Sequence, residues 1–574
     1  MRTRSLLITL VLTVALAGGG CPNLPPTPGP DPVLPTWDAA TYPWPMQGHD
    51  LRRTGRSTFN GPSTATPGAP GNWDYSAVGG AVINMQAVIT STGVYFGTWG
   101  VQRRDVGQTP EQWDKIDGRW YGLRTDGAAP GGVAELFAPL RPALNPAGYL
   151  RPGRAKLARD IFWCGAGNDY LVSFYNGTIE GTPCIDPTDG TQYVGRGDGR
   201  LFAIDPASGT VKWSFQTYNP QDPTDPDGGG EIVGGPLYGP GGIVYFGTFG
   251  VPWPGSAGDP GYESNAVYAV NTSGQLVWRY PASDKSLSNW LLASPALSLD
   301  GRTLYVATFA GDTAAPGELI ALDLTQPAAA TDAQRLRWKL TLKNAARLFS
   351  PNVWVRSLAV GVDGRIFCAG AEAHFGGLSP VFFAVDDRGD RGELAWGGAF
   401  VEPNGYPSNT GQFVAGLALK ESGSTVERLY CSTSHLRAAN GVGGLLFAVN
   451  PATGAVLATF DPALQPAPGV GGMTAPTLDA AGHIYVGIRG AHPALGSAAV
   501  NGRMYGLADA GSSFSVLWNF EDSGLLDWVP PAVGADGAVY FGSSDAFAPG
   551  GEINWYTFAE TPANRTPKFY RIGG

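Results

Sequence analysis

The chain has 574 residues, 43% of them hydrophobic and only 15% charged, with a formal net charge of −10. That charge, with no lysine or arginine run to set against it, argues against binding to a phosphate backbone. Gly 83 and Pro 48 beside a normal apolar fraction exclude a disordered chain and favour strands joined by tight turns, as several small domains or one large closed β architecture.

In chain order, Arg2 and Arg4 precede the apolar run "LLITLVLTVALA" and then "GGGC", ending at Cys21. A charged start, small residues before a cut, and an apolar run shorter than the about 20 residues of a membrane span read as a signal peptide. The residues before Cys21 resemble a bacterial lipobox, with Gly18 where that pattern carries an aliphatic residue. The resemblance implies lipidation of Cys21; ordinary secretion after a nearby cleavage is the alternative. Both routes take the protein out of the cytoplasm. Residues 1–21 are thus expected to be the signal peptide, 22–45 a stiff proline-rich tether and 46–574 a single folded domain.

The segment "YPWPMQGHDLRRTGRS" (42–57) has neither helical nor strand periodicity, yet carries Trp44 and Met46. Both are expected to dock the incoming chain against the folded body, and "NWDYSAVGG" (72–80) to supply either an outer strand of the last repeat unit, which would close the body, or the start of the first.

From there a repeat runs through the sequence. An aromatic column, Tyr95, Tyr193, Tyr245, Tyr305, Phe367, Tyr430, Tyr485 and Tyr540, is followed two residues later by Gly97, Gly195, Gly247, Ala307, Ala369, Ser432, Gly487 and Gly542. Cys368 and Cys431 fill the column between, as buried apolar substitutes. Most units go on to a second strand, a turn such as "DPASG", "NTSG" or "NPATG", and a strand bearing Trp213, Trp278, Trp338, Trp396 or Trp518, with Ala458 the exception. Short strands ending in Asp-Gly turns precede the column. Four antiparallel strands per unit read as β-propeller blades, and eight signatures predict an eight-bladed, all-β propeller. The first unit is the weakest, so a seven-bladed ring with an irregular extra sheet is the alternative.

These units resemble the pyrroloquinoline-quinone-type (PQQ-like) propeller repeat over about residues 72–572, and the 44–57 segment resembles the lead-in to many bacterial propellers of that kind. The family includes quinone-dependent dehydrogenases and assembly-scaffold lipoproteins. The dehydrogenases carry vicinal cysteines, a calcium site and a catalytic carboxylate. No two cysteines are adjacent here, and no catalytic residue carries over. H-E-x-x-H, G-x-S-x-G, P-loop and haem-attachment motifs are absent from the sequence as well.

One face collects the remaining candidates. His374, His435 and His492 lie just past the aromatic strand in three successive units, with Asp312 and Asp545 in comparable places. Trp290, Trp354 and Trp528 lead into first strands on the same side. Connections after strands two and four of a meander emerge on one face, so these residues form a candidate ligand face. A metal site there is weighed against loop histidines, and packing between blades against exposed tryptophans. Cys164 and Cys184 could pair in an oxidising compartment.

The sequence therefore predicts a non-catalytic, lipid-anchored monomer at a bacterial membrane, periplasmic or cell-surface, with no resident cofactor and no nucleic acid. It is expected to bind an envelope protein, a peptide or a glycan. The alternative is an extracytoplasmic oxidoreductase dependent on PQQ and calcium or on another metal.

Overall fold

The computed structural model describes residues between 32 and 573, apart from segments of which the longest are 139–161, 249–264 and 544–567; every statement below concerns the described residues. Eight antiparallel blades form a ring, which is an eight-bladed β-propeller. The inner strands are Val88–Ile89, Cys184–Ile185, Leu237–Gly239, Ala296–Leu297, Val353–Val360, Gln412–Ser422, Thr477–Leu478 and Ala532–Val533. Each pairs with the strand bearing its aromatic column, and Tyr95, for example, stands opposite Val88.

The first blade has three strands, Val88–Ile89, Gly93–Gly97 and Trp120–Arg124, and its fourth is reduced to one bridge between Leu123 and Glu135. Two insertions, one between its second and third strands and one after its third, build a separate antiparallel sheet in the order Asp114–Ile116, Val101–Asp105, Tyr170–Phe174, Phe162–Cys164. The eighth blade is completed from the other end of the chain. Trp73–Tyr75 pairs antiparallel with Phe569–Ile572 as its outermost strand, as expected, which covers an edge that would otherwise stand open.

Both sequence columns have a packing reason. The small column makes room for the chain entering the next blade. A Cβ on Gly97 would come 2.5 Å from Ile179 Cγ2, on Gly195 2.3 Å from Ile232 Cγ2, and on Gly247 2.5 Å from Leu291 Cβ. The aromatic column anchors turns, with the hydroxyls of Tyr305, Tyr430 and Tyr540 donating to Asp387, Asp509 and Asp536 at 2.6, 2.9 and 2.7 Å.

The tryptophans join neighbouring blades. Trp213 Nε1 donates to the Thr272 carbonyl and Trp396 Nε1 to the Pro451 carbonyl, each in the outer turn of the following blade. That turn's glycine then lies under the indole: a Cβ on Gly274 would come 2.9 Å from Trp213, and one on Gly454 2.6 Å from Trp396. Where the pattern breaks, another side chain takes the place. Phe137 stands over Gly209 in the weak first blade, and Arg335 stacks on Trp278 with its guanidinium carbon 4.3 Å from the ring centroid. Beside Ala458, Phe514 of the next blade packs against Phe460 and Tyr430.

Cys368 and Cys431 are fully buried, as their column requires. Cys184 is likewise fully buried, and the side chain of Cys164, the other half of the possible pair, lies outside the described residues. The expected tether also ends earlier than residue 45. Leu34 packs into the core between the third and fourth blades, and Trp37 Nε1 donates to the Ile185 carbonyl at 2.9 Å. Both are apolar side chains that lose water by docking, which a solvated spacer would not permit.

Candidate functional site at the propeller axis

Residues 44–57 form a strap around the axis. Its carbonyls accept hydrogen bonds from register-equivalent inner-strand amides of six blades in turn. Trp44 accepts from Ile89 at 2.9 Å, Pro45 from Ile185 at 3.0 Å, Leu51 from Leu297 at 2.9 Å, Arg52 from Val360 at 2.9 Å, Thr54 from Leu419 at 2.8 Å and Gly55 from Leu478 at 2.8 Å. Each donor sits on the edge of an inner strand that the blade itself leaves unpaired, so the strap satisfies a row of buried backbone donors.

Turning one chain through that circle requires a curved backbone. Gly48 and Gly55 have φ of 65° and 68°, and so, without the freedom of glycine, do His49 at 74° and Arg53 at 62°. This is why the segment shows no periodicity. Trp44 and Met46 are both fully buried at its start, as expected.

Two arginines and an aspartate fix the strap. Arg52 forms a two-pronged ion pair with Glu421 at 2.8 and 2.8 Å. Burial alone would lower the Arg52 guanidinium, but Glu421 and Asp50 more than offset it. Asp50 accepts from the amides of Arg52 and Thr54 at 2.9 and 3.2 Å and from the Thr54 hydroxyl. Desolvation pushes its carboxyl up, and His49, Arg52 and Thr54 together outweigh that and hold it at about 2. Arg53 is 4% exposed and donates to the carbonyls of Pro295, Gln47, Gly235 and Pro236. Burial pulls its guanidinium down to about 10, with Cys184 and Asp50 opposing.

Above the strap lies an axial cavity of about 50 Å³, lined by Arg53, Arg356, Gln47, Gln86, Ser294 and Ser357 together with Leu358, Leu417, Ala475 and two prolines. Gln86, Ser294, Ala475 and Pro530 precede the inner strands of their blades. The cavity therefore sits between the strap and the ends of those strands that the longer connections lead into. Arg356 reaches it from a β-bulge: the ladder steps from Val355 to Ser357, leaving Arg356 as the extra residue.

The candidate ligand face from the sequence is only partly within view. The backbones of His374 and His435 end the second strands Ile366–His374 and Thr425–His435 of neighbouring blades, and Trp290 ends Asn289–Trp290; their side chains lie outside the described residues. His492, Asp312, Asp545, Trp528 and Cys21 lie outside them altogether. Trp354 is 6% exposed on the strand Val353–Val360, so it packs within the blades rather than standing on the surface. What sequence reading missed is the axis. Its only textual signals were the two glycines and the arginine pair of "QGHDLRRTG".

Calcium takes six to eight oxygen ligands, several of them carboxylates. The axial cavity is lined by two arginines and by no acidic residue, and no group of three His, Cys, Asp or Glu side chains suited to a metal occurs among the described residues. The described axial lining does not fit a quinone–calcium centre.

A family model described as outer membrane protein assembly factor BamB matches residues 179–326, within the second to fourth blades. Two solved structures are similar over most of the chain. One is a quinohemoprotein alcohol dehydrogenase from Comamonas testosteroni, at 13% identity and a TM-score of 0.55, covering 92% of this chain and 80% of that one. The other is a quinohemoprotein alcohol dehydrogenase from Pseudomonas putida HK5, at 13% identity, a TM-score of 0.52 and the same two coverages. At these identities the likeness is one of fold. No curated protein sequence matches the chain.

Proposed function

Because this chain is a PQQ-like β-propeller repeat protein, we propose that it is a non-catalytic binding or scaffold module of the cell envelope, exported and held to a membrane through a lipid on Cys21. The observation that carries this reading is the asymmetry of the ring. One face is tied down by the strap, whose carbonyls bond to inner strands of six blades, while the longer connections and the added sheet of Val101–Asp105 and Tyr170–Phe174 grow from the first blade's far end and from the other face. A rigid scaffold with variable connections on one side suits recognition of a protein, peptide or glycan. The matched family description, an outer membrane protein assembly factor, supports an envelope setting and a protein partner. An axial lining without an acidic residue offers calcium no carboxylate ligand, which supports a protein without a resident metal there.

The test is an affinity capture from envelope extract, using the protein and a variant in which residues 436–443 are replaced by a short Gly-Ser turn. The reading expects one defined partner that the variant loses. Mass spectrometry of the mature N-terminus decides the lipid on Cys21. An oxidoreductase would instead take up quinone: stoichiometric retention of a PQQ absorbance after incubation with PQQ and calcium would overturn the non-catalytic reading.

A further inference from the structure

We infer that the face of the ring crossed by residues 34–42 lies against a lipid surface, with Val33 and Leu299 in contact with it, and that the longer connections point away from the membrane. The inference rests on the proposed lipid on Cys21 and adds to it which way the body stands.

The first ground is where the chain enters the fold. In each blade's meander the turn after the inner strand and the outermost turn fall on one face, and the longer connections on the other. Residues 34–42 run over turns of the first kind in three blades. A Cβ on Gly301 would come 2.5 Å from Leu34 Cδ2 and one on Gly190 3.7 Å from the Tyr42 hydroxyl, and the Ser91 amide donates to the Thr41 carbonyl at 2.7 Å. Ser91, Gly190 and Gly301 follow the inner strands of the first, second and fourth blades. The chain therefore enters on the turn face, beside the fourth blade.

The second ground is reach. Residues 22–31 alone separate Cys21 from Pro32. A proline-rich chain of that length extends about 30 Å, at about 3.1 Å per residue. Rounding the fourth blade from its inner turn would take about 14 Å across three strand spacings and about 17 Å along a five-residue strand such as Thr303–Ala307. That uses up the tether before any connection on the far face is cleared. A lipid on Cys21 thus brings the turn face down on the membrane.

The third ground is the surface itself. Val33 precedes the docked Leu34, and Leu299 lies in the tight turn 298–301 on which Leu34 packs; they are 84% and 44% exposed. Val211, 38% exposed, follows the outermost turn of the second blade on the same face. Apolar side chains left in water gain by meeting lipid, yet so few do not hold a protein on a membrane. The lipid supplies attachment and these side chains set the tilt.

The experiment places the full lipidated protein in vesicles of phosphatidylethanolamine and phosphatidylglycerol that contain a nitroxide-headgroup lipid. A fluorophore is attached at Ser273→Cys, in an exposed outer turn of the third blade, or at Asn501→Cys, exposed on the opposite face. Parent protein treated with the same dye corrects for its own thiols. Quenching at position 273 is expected to exceed that at 501 at least about twofold, and Val33→Asp combined with Leu299→Asp should remove at least about half of that excess, with the melting temperature unchanged. Equal or reversed quenching in protein whose Cys21 carries the lipid overturns this inference alone, as does an excess that the double variant leaves intact. A dimer of the detergent-solubilised protein that the double variant disperses overturns it as well, by assigning the patch to a second copy. Absence of the lipid in the mass of the mature N-terminus overturns the anchoring reading, and this inference with it.

Discussion

The indole Nε1 of Trp518 donates to the carbonyl of Pro62 at 2.8 Å, across almost the full length of the chain. In the second and fifth blades the equivalent indole meets the outer turn of the next blade. The eighth blade has no such turn, because its outer strand arrives from the N-terminus. Pro62 stands in for it, and the Tyr485 hydroxyl reaches the same carbonyl at 3.2 Å.

Replacing Trp518 by Phe keeps much of the packing and removes the bond to Pro62. The Pro62 carbonyl retains Tyr485, so the cost is expected to be about 1 kcal/mol in equilibrium urea unfolding. Trp518→Ala, at a site 5% exposed, should cost about 3–5 kcal/mol and loosen the closure between the seventh and eighth blades. Hydrogen exchange of the Phe569–Ile572 amides checks the second effect. Protection there equal to the parent's would show that the ring closes without this contact.

Two turn glycines with similar backbones separate conformational strain from packing. Gly454 has φ of 75° and Gly364 of 82°. A Cβ on Gly364 meets nothing within 4 Å, whereas one on Gly454 lands 2.6 Å from Trp396. Gly364→Ala should therefore cost only the left-handed penalty of about 1–2 kcal/mol. Gly454→Ala should cost that and a further about 1–3 kcal/mol for the displaced indole. Equal melting temperatures for the two variants would contradict the packing role of the turn.

The strap should have an acid limb of its own. The Asp50 carboxyl is held at about 2 in the folded protein, below the ordinary value of an unfolded aspartate near 3.9. A depressed carboxyl contributes stability that is fully present above the unfolded value and is lost as pH falls through the folded one. Stability should thus decline from about pH 4 to about pH 2. In Asp50→Asn, which keeps an oxygen for the amides of Arg52 and Thr54 but loses the charge and the oxygen that accepts from the Thr54 hydroxyl, stability near pH 7 should fall and the decline between pH 4 and 2 should flatten. Melting temperatures of both proteins across that range make the comparison, and parallel curves would rule out Asp50 as a contributor.

The ring was legible in the sequence because its cause is local and repeated. An aromatic residue and a small residue two places on recur at each blade, an Asp or Asn turn recurs in most, and the packing reasons repeat with them. The closing strand at Trp73–Tyr75 and the burial of Trp44 and Met46 were legible for a related reason: apolar residues outside the repeat need somewhere to be buried. Partners were not legible. Phe137, Arg335 and Phe514 fill the places of missing tryptophans and glycines from positions that no spacing rule links to them.

The sequence by itself determined the blades and the side on which each turn falls, since these follow from side-chain alternation and turn chemistry along short stretches, and it left their number between eight and seven. Only the tertiary structure decided what lies at the axis. The strap works through backbone carbonyls, which every residue has, and through left-handed conformations at His49 and Arg53 that their side chains do not announce. Its donors stand in six different blades, so the circle exists only once the ring has brought those inner strands around one axis.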